Sequence, residues 1–409
     1  MPESTMTMKR MPAPRFSLAQ RSVLILGSLV VMTAWVPPRL EAQTIARRVA
    51  GAPDGKVRFS FAARPDLCGY EGSISRGKNN NISNWSSKAS EDVEYDRECS
   101  VGPVRIVGEV RRGSLTRIKT YVGGRWRPAS GVTDLGTVSA KDGTDFLLGV
   151  ASTETGKVAG EAIYPTTLAD SVVVAPSIFR IARNASRPTE VREQAIFWLS
   201  QLPDENAVDM LSEILNSASE EKLRDKAIFA LSQHHSGRGA AVLRDFVNNE
   251  RASSHLRAQA VFWLGQSRSG GSVAFLKTLY TRTTNAEIKD KILFSLSQQR
   301  GVGNEKWLMD VAANSSESME LRKKALFWAG QSGTDIDELT ALYSRMPDRE
   351  MKEQMIFVLS QRQSGAAAGK LMDIAKNDSD RELRRKALFW LGQSRDPRVQ
   401  DFLTELINR

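Results

Sequence analysis

The sequence is poor in the residues on which most catalysis and metal binding draw. Histidine occurs three times (His234, His235 and His255) and cysteine twice (Cys68 and Cys99) in 409 residues. So few imidazoles exclude a multi-histidine metal centre, and two cysteines exclude a Cys₄ zinc site or a disulfide-dense scaffold. No nucleophile elbow, P-loop or dinucleotide fingerprint is present. His234-His235 has no third ligand in register. These absences predict no metal, no cofactor and no enzymatic activity. Hydrophobic residues make up 41% and charged residues 25% of the chain, as in folded soluble proteins, and the length suffices for two or three domains.

Long apolar runs are also missing, with one exception. Lys9, Arg10, Arg15 and Arg21 precede Val23–Trp35, followed by Pro37, Pro38 and a small residue at Ala42. A basic leader, a short apolar stretch, helix breakers and a small residue match a secretory signal peptide over residues 1–42. The run is shorter than the about 20 residues of a membrane span. The chain is therefore expected to be periplasmic or secreted, and not membrane-spanning once the signal is removed. Export makes Cys68 and Cys99 a predicted disulfide.

Residues 43–140 read as a small β domain. Val57, Phe59 and Phe61 alternate with polar residues, and Val104–Val107 leads through Arg112-Gly113-Ser114 into Leu115–Val122, the pattern of a hairpin. Residues 77–90 read as a loop. The region holds 16 Lys/Arg against 10 Asp/Glu, so it carries most of the chain's net charge of +10. Arg105, Arg111, Arg112, Arg117, Lys119, Arg125 and Arg127, with Tyr121 and Trp126 among them, form a candidate basic patch for an acidic envelope surface, or else a solvated hairpin face. Nucleic acid is not an expected partner for an exported chain. The run Glu91, Asp92, Glu94, Asp96, Glu98 lacks the glycine and the closing glutamate of a calcium loop and reads as a solvated segment.

Residues 141–409 switch to helical periodicity and repeat. A heptapeptide recurs at Ala195, Ala227, Ala260, Ile292, Ala325, Met355 and Ala387, spaced 30 to 33 residues apart, as in AIFWLSQ and ALFWLGQ. Each copy has an apolar residue four positions before its start and a basic one three before. A second amphipathic segment separates successive copies, and Asp396-Pro397 opens a predicted terminal capping helix. Repetition at this period signals a solenoid of helix pairs.

On a helical wheel, positions −4, 0 and +4 of the motif form the core stripe. Phenylalanine at +2 falls almost opposite, yet all seven copies have it: Phe197, Phe229, Phe262, Phe294, Phe327, Phe357 and Phe389. Glutamine at +6 lies nearby: Gln201, Gln233, Gln266, Gln298, Gln331, Gln361 and Gln393. This ladder either packs sideways between repeats, with the glutamines on loop carbonyls, or offers apolar and amide contacts to an extended ligand. Exposure of Phe262, Phe294 and Phe327 separates the two readings. Tryptophan at +3 occurs in alternate copies (Trp198, Trp263, Trp328, Trp390), and glycine at +5 accompanies three of them, which suggests size compensation between neighbours and an ancestral pair of repeats.

The pattern R-x-x-A-[IVL]-F-W-L-[GS]-Q resembles the short bacterial HEAT-like repeats over more than half of the residues after the signal. The resemblance implies an α–α superhelix that binds other macromolecules. Some members of that group act on bilins as chromophore lyases, but no residue here singles out that chemistry. The fold expected is thus α+β: a small disulfide-linked antiparallel β domain followed by a HEAT-like solenoid. The function expected is a non-catalytic scaffold that binds a protein or peptide through the solenoid surface. The alternative is an enzyme or enzyme accessory with its site where the β domain meets the solenoid.

Overall fold

The computed structural model describes residues 44–76, 80–82, 91–96, 99–266, 271–299 and 303–408. The expected signal peptide and most of the expected 77–90 loop lie outside the described residues. Within the loop, Asn80–Ile82 is a strand.

Among the described residues, ten strands follow a short helix, α1 (Ile45–Ala50): β1 (Gly55–Phe61), β2 (Leu67–Tyr70), β3 (Ser73–Arg76), β4 (Asn80–Ile82), β5 (Val93–Glu94), β6 (Ser100–Val101), β7 (Val104–Arg111), β8 (Ser114–Val122), β9 (Arg125–Trp126) and β10 (Val132–Thr137). They form sheets of order β10-β1-β7-β8 and β4-β3-β2-β6, with β5 paired to β9. All pairings are antiparallel except β1 with β10, which is parallel. The alternation in β1 turns Val57, Phe59 and Phe61 inward, each fully buried. The β7–β8 hairpin closes through Arg112 and Gly113 at φ 51° and 77°, the left-handed pair that a two-residue turn demands. A side chain at Gly113 would also meet the Ala50 carbonyl at 3.0 Å. The disulfide joins Cys68 in β2 to Cys99, just before β6.

Helices begin with α2 (Ala140–Thr153), whose N-terminus Ser139 caps by accepting from the Asp142 amide. Next come α3 (Lys157–Glu161), α4 (Ile163–Thr166) and α5 (Ala175–Arg183). The heptapeptides lie on α6 (Thr189–Ser200), α8 (Glu221–Gln233), α10 (Ser254–Gln266), α12 (Ala286–Ser297), α14 (Met319–Ser332), α16 (Arg349–Ser360) and α18 (Arg381–Leu391). Between them run α7 (Asn206–Ser217), α9 (Arg238–Asn248), α11 (Gly271–Arg282), α13 (Asn304–Ala313), α15 (Ile336–Arg345) and α17 (Gly365–Asn377), and α19 (Pro397–Ile407) follows, capped by Asp396. Each motif helix packs on the partner helix before it and directly on the next motif helix, whereas the partner helices touch one another far less. The motif helices are therefore the inner row of the solenoid.

The −4, 0 and +4 positions are the buried stripe, as in Leu256, Ala260 and Leu264. The basic residue at −3 also points inward and stitches each pair together. Nε of Arg192, Arg257 and Arg322, all buried, donates at 2.8–3.1 Å to the last-turn carbonyls of Ala182, Val247 and Ala312, and Arg224 does the same to Leu215. Those carbonyls lack intrahelical partners, so the guanidinium caps the preceding helix. Where −3 is lysine, the preceding helix carries a tyrosine: Lys289 lies over Tyr280 and Lys352 over Tyr343. One hydrophobic core runs without interruption from Ile45, through both four-stranded sheets, to Val399.

Candidate functional site

The motif helices lie close enough for their +2 rings to touch. Phe262 stacks on Phe294 (6.0 Å, 15°) and Phe327 on Phe357 (6.3 Å, 15°). The edges of the intervening tryptophans close the gaps: Phe229 on Trp263, Phe294 on Trp328 and Phe357 on Trp390, at 4.8, 5.0 and 5.4 Å. With Phe262–Trp263, Phe327–Trp328 and Phe389–Trp390 in contact within each copy, nine rings form an unbroken ribbon from Phe229 to Phe389. The ribbon is half-buried, not covered. Phe262, Phe294 and Phe327 are each of intermediate exposure, and Phe389 is 61% exposed. The phenylalanines thus pack sideways, as one reading expected, and still present ring surface to solvent, as the other required.

All seven +6 glutamines are exposed. Gln201, Gln233, Gln298 and Gln361 donate to the preceding serine hydroxyl at 3.0–3.2 Å, and each serine donates in turn to the carbonyl of its +2 phenylalanine at 2.7 Å. Their amides therefore turn to the serines and not to loop carbonyls. Gln266, Gln331 and Gln393 follow glycine and have no such serine. Glycine permits close approach of the helices: a Cβ on Gly265 would sit 2.4 Å from the Cβ of Ser295, and one on Gly330 2.3 Å from Cγ1 of Val358.

Before the first motif copy lies a cleft of about 660 Å³ between β3, β8, α3, α4 and α6. Val191, Gln194 and Trp198 from the first motif copy line one wall, and Ile74, Ile118, Lys119 and Thr120 from the sheets line the other. Tyr164 stacks on Trp198 at 4.5 Å and 25°, in the place a preceding repeat's phenylalanine would take. Burial pushes the Tyr164 hydroxyl well above the usual phenol range. Glu161 accepts the amide of Ile118 at 3.0 Å, satisfying the outer edge of β8. This site draws on residues from four separate stretches of sequence, and no local motif announces it.

The candidate basic patch divides. Arg105 is built into the fold: it donates to the carbonyls of Gly123 and Gly124 and, like Arg58, lies over the Trp126 ring, at 4.9 and 5.2 Å respectively. Lys119 lies 3.6 Å from Asp92 and 3.7 Å from Glu91, and Arg125 pairs with Asp96. Arg111, Arg112, Arg117 and Arg127 are exposed and form no ion pair among the described residues. In the acidic run, Asp92 is a structural acceptor: Lys56 and Tyr121 donate to it at 3.2 and 3.0 Å. Burial pushes its carboxyl up, but these bonds and the charges of Lys56 and Lys119 outweigh that and hold it below the ordinary range. Glu98 lies outside the described residues. His234 is buried with Nδ1 2.9 Å from the Ser236 hydroxyl. No metal-ligating cluster occurs among the described residues, and no helix there is long and apolar enough to cross a membrane.

A family model described as PBS lyase HEAT-like repeat matches residues 191–217 and 383–409, that is, from the −4 residue of the first and of the last motif copy onward. Similar solved structures include human deoxyhypusine hydroxylase (18% identity, TM-score 0.28, covering 56% of this chain and 88% of that one). YibA of Escherichia coli is 16% identical at TM-score 0.35, covering 62% and 92%. The complex of CpcE and CpcF of phycocyanin lyase from a Nostoc species is 15% identical at TM-score 0.29, covering 57% and 95%. No curated protein matches. The family match corrects one expectation: scarcity of histidine and cysteine does not remove the chain from the enzymes, because the matching repeat is named for a lyase. That expectation looked for local catalytic motifs, and an array that assembles surfaces from many repeats has no need of one. The chain carries a HEAT-like repeat domain of the kind described for PBS lyases, joined to a small disulfide-linked β region.

Proposed function

We propose that this protein is an exported repeat scaffold that holds an extended protein or peptide segment along the inner row of its solenoid. The observation that carries the reading is the half-exposed aromatic ribbon, flanked in every copy by an exposed glutamine amide. Ring surface supplies apolar contact at regular intervals, and the amides can donate to and accept from a main chain lying across them. Affinity capture from an envelope fraction, with the chain lacking residues 1–42 as bait, tests it. A variant with Gln266, Gln298 and Gln331 changed to Ala should lose the captured partner while melting as the parent does. Equal capture by both would refute the reading. Fusing residues 1–42 to a reporter tests export, and retention of the reporter in the cytoplasm would overturn that part.

The second reading, an enzyme or enzyme accessory acting at the junction, is favoured by the cleft beside Tyr164 and Trp198. Its volume falls within the about 300–1,000 Å³ of ligand sites, and its floor is apolar with a few polar groups around it.

A further inference from the structure

We infer that the cleft between β8 and α6 binds a primary ammonium carried on a bulky ring-bearing body, with the Glu161 carboxylate as its counter-ion. The inference rests on the second reading above and adds to it the chemistry of the ligand. Which side chains reach the space follows from period. Along β8, Ile118 and Thr120 share one face, and Lys119 and Tyr121 share the other. Ile118 belongs to the main core and to the cleft, whereas Tyr121 packs with Val93 and Val107 behind the sheet. The Lys119 ammonium stands there too, 3.6 Å from Asp92 and 3.7 Å from Glu91, and Asp92 also accepts the Tyr121 hydroxyl. Its charge is therefore neutralised on the far face. Along α6, Glu190, Val191, Gln194 and Trp198 fall on one side at helical spacing and line the opposite wall.

The space that remains has an apolar floor with unpaired polar groups around it. Ile74, Ile118 and Val191 close the bottom, and Tyr164, stacked on Trp198, adds a ring. Glu161 is half-buried. Its Oε2 accepts the Ile118 amide at 3.0 Å, and the carboxylate forms no ion pair among the described residues. Glu190, exposed at the rim, adds a second negative charge. Against these stands Lys157, exposed and forming no ion pair among the described residues, not even with Glu161 four positions on. The cleft side chains thus carry two negative charges to one positive, and the most enclosed of the three is negative. Partial burial strengthens a charge-assisted bond to that carboxylate. Burial also keeps the Tyr164 phenol un-ionised. Its oxygen and the Gln194 amide, neither hydrogen-bonded among the described residues, are open to the remaining N–H groups of an ammonium. At about 660 Å³ the space exceeds a single side chain and takes a two-ring body.

The test uses the chain lacking residues 1–42, which is one compact unit, and three indoles that differ in their end group: tryptamine, tryptophol and indole-3-propionate. The chain's excess of Lys and Arg would by itself draw the acid, so a preference for the amine must arise locally. By calorimetry, tryptamine is expected to bind at least about ten-fold more tightly than tryptophol, the scale of one charge-assisted contact, and the acid most weakly. Glu161→Gln keeps an acceptor for the Ile118 amide; it should remove the amine's advantage and leave tryptophol binding and the melting temperature unchanged. Gln194→Trp, at an exposed position without a hydrogen bond, fills the mouth and should block all three probes. Equal binding of amine and alcohol, with Gln194→Trp still blocking both, would overturn the ammonium inference and leave a ligand site at the junction standing. An amine preference that survives Glu161→Gln would overturn the choice of counter-ion. Binding of none of the three, or binding that Gln194→Trp leaves intact, would remove the site itself.

Discussion

The sharpest prediction concerns Gly330, a residue inside α14 with ordinary helical backbone. Alanine in a helix interior is favoured over glycine by about 0.5–1 kcal/mol, so propensity alone makes Gly330→Ala stabilising. The structure opposes this: the new Cβ would lie 2.3 Å from Cγ1 of Val358 on the next motif helix, where both residues are buried. Overpacking of this kind costs about 1–3 kcal/mol. The net expectation is a loss of roughly 0.5–2 kcal/mol, the steric term winning. Val358→Ala alone opens a void and should cost about 2 kcal/mol. In the double variant the added methyl enters the vacated space, so the two costs should fall short of additivity by about 1–3 kcal/mol. Urea unfolding, with midpoints compared for the same cooperative transition, measures all three. Additivity within about 0.5 kcal/mol, or stabilisation by Gly330→Ala alone, would refute the close approach of these helices.

Three further outcomes follow from the geometry. Replacing Cys68 and Cys99 with serine opens a loop of sequence separation 31 and should lower stability by about 3–4 kcal/mol on the chain-entropy account, read as a fall in the urea midpoint of the β region. Arg257→Met leaves the Val247 carbonyl buried without its donor and should cost about 1–3 kcal/mol by the same assay, whereas exposed Arg117→Met should change nothing measurable. Asp92 has its folded pKa depressed, so its contribution is complete above the unfolded carboxylate value of about 4 and fades as pH falls through the lower folded value. Asp92→Asn should therefore be less stable than the parent at neutral pH and converge with it in acid, and curves that stay parallel would exclude the role given to Lys56 and Tyr121.

Local patterns were legible wherever one element decided the outcome. The inward face of β1, the Arg112-Gly113 turn, the −4, 0 and +4 stripe and the Asp396 cap each follow from period or from backbone chemistry. Parallel pairing of β1 with β10 was not, because it joins segments about 76 residues apart. Nor was α1, whose six residues are too few to show a helical period. The ribbon was half legible: the wheel turned the +2 phenylalanines to solvent, and only packing between successive motif helices reveals how far they are covered. A stronger signal went unused. The basic residue at −3 falls on the core side of the wheel in every copy, a contradiction unless it is paired; for Arg192, Arg224, Arg257 and Arg322 the open carbonyls of the preceding helix are that pairing, and Lys289 and Lys352 lie over tyrosines of that helix. The cleft left no signal, since its walls come from strands and helices that meet only in the folded chain.

The joints between repeats are of two alternating kinds. A phenylalanine meets the edge of a tryptophan on entering copies three, five and seven, and stacks on another phenylalanine, with glycine against serine or valine, on leaving copies three and five. Excising a single unit would bring a glycine seat shaped for a small side chain against an indole, or two small residues together over a hole. Excising an adjacent pair rejoins like with like. Growth and shrinkage of this array therefore proceed by doublets, and the reading frame of any engineered extension is the two-unit cassette.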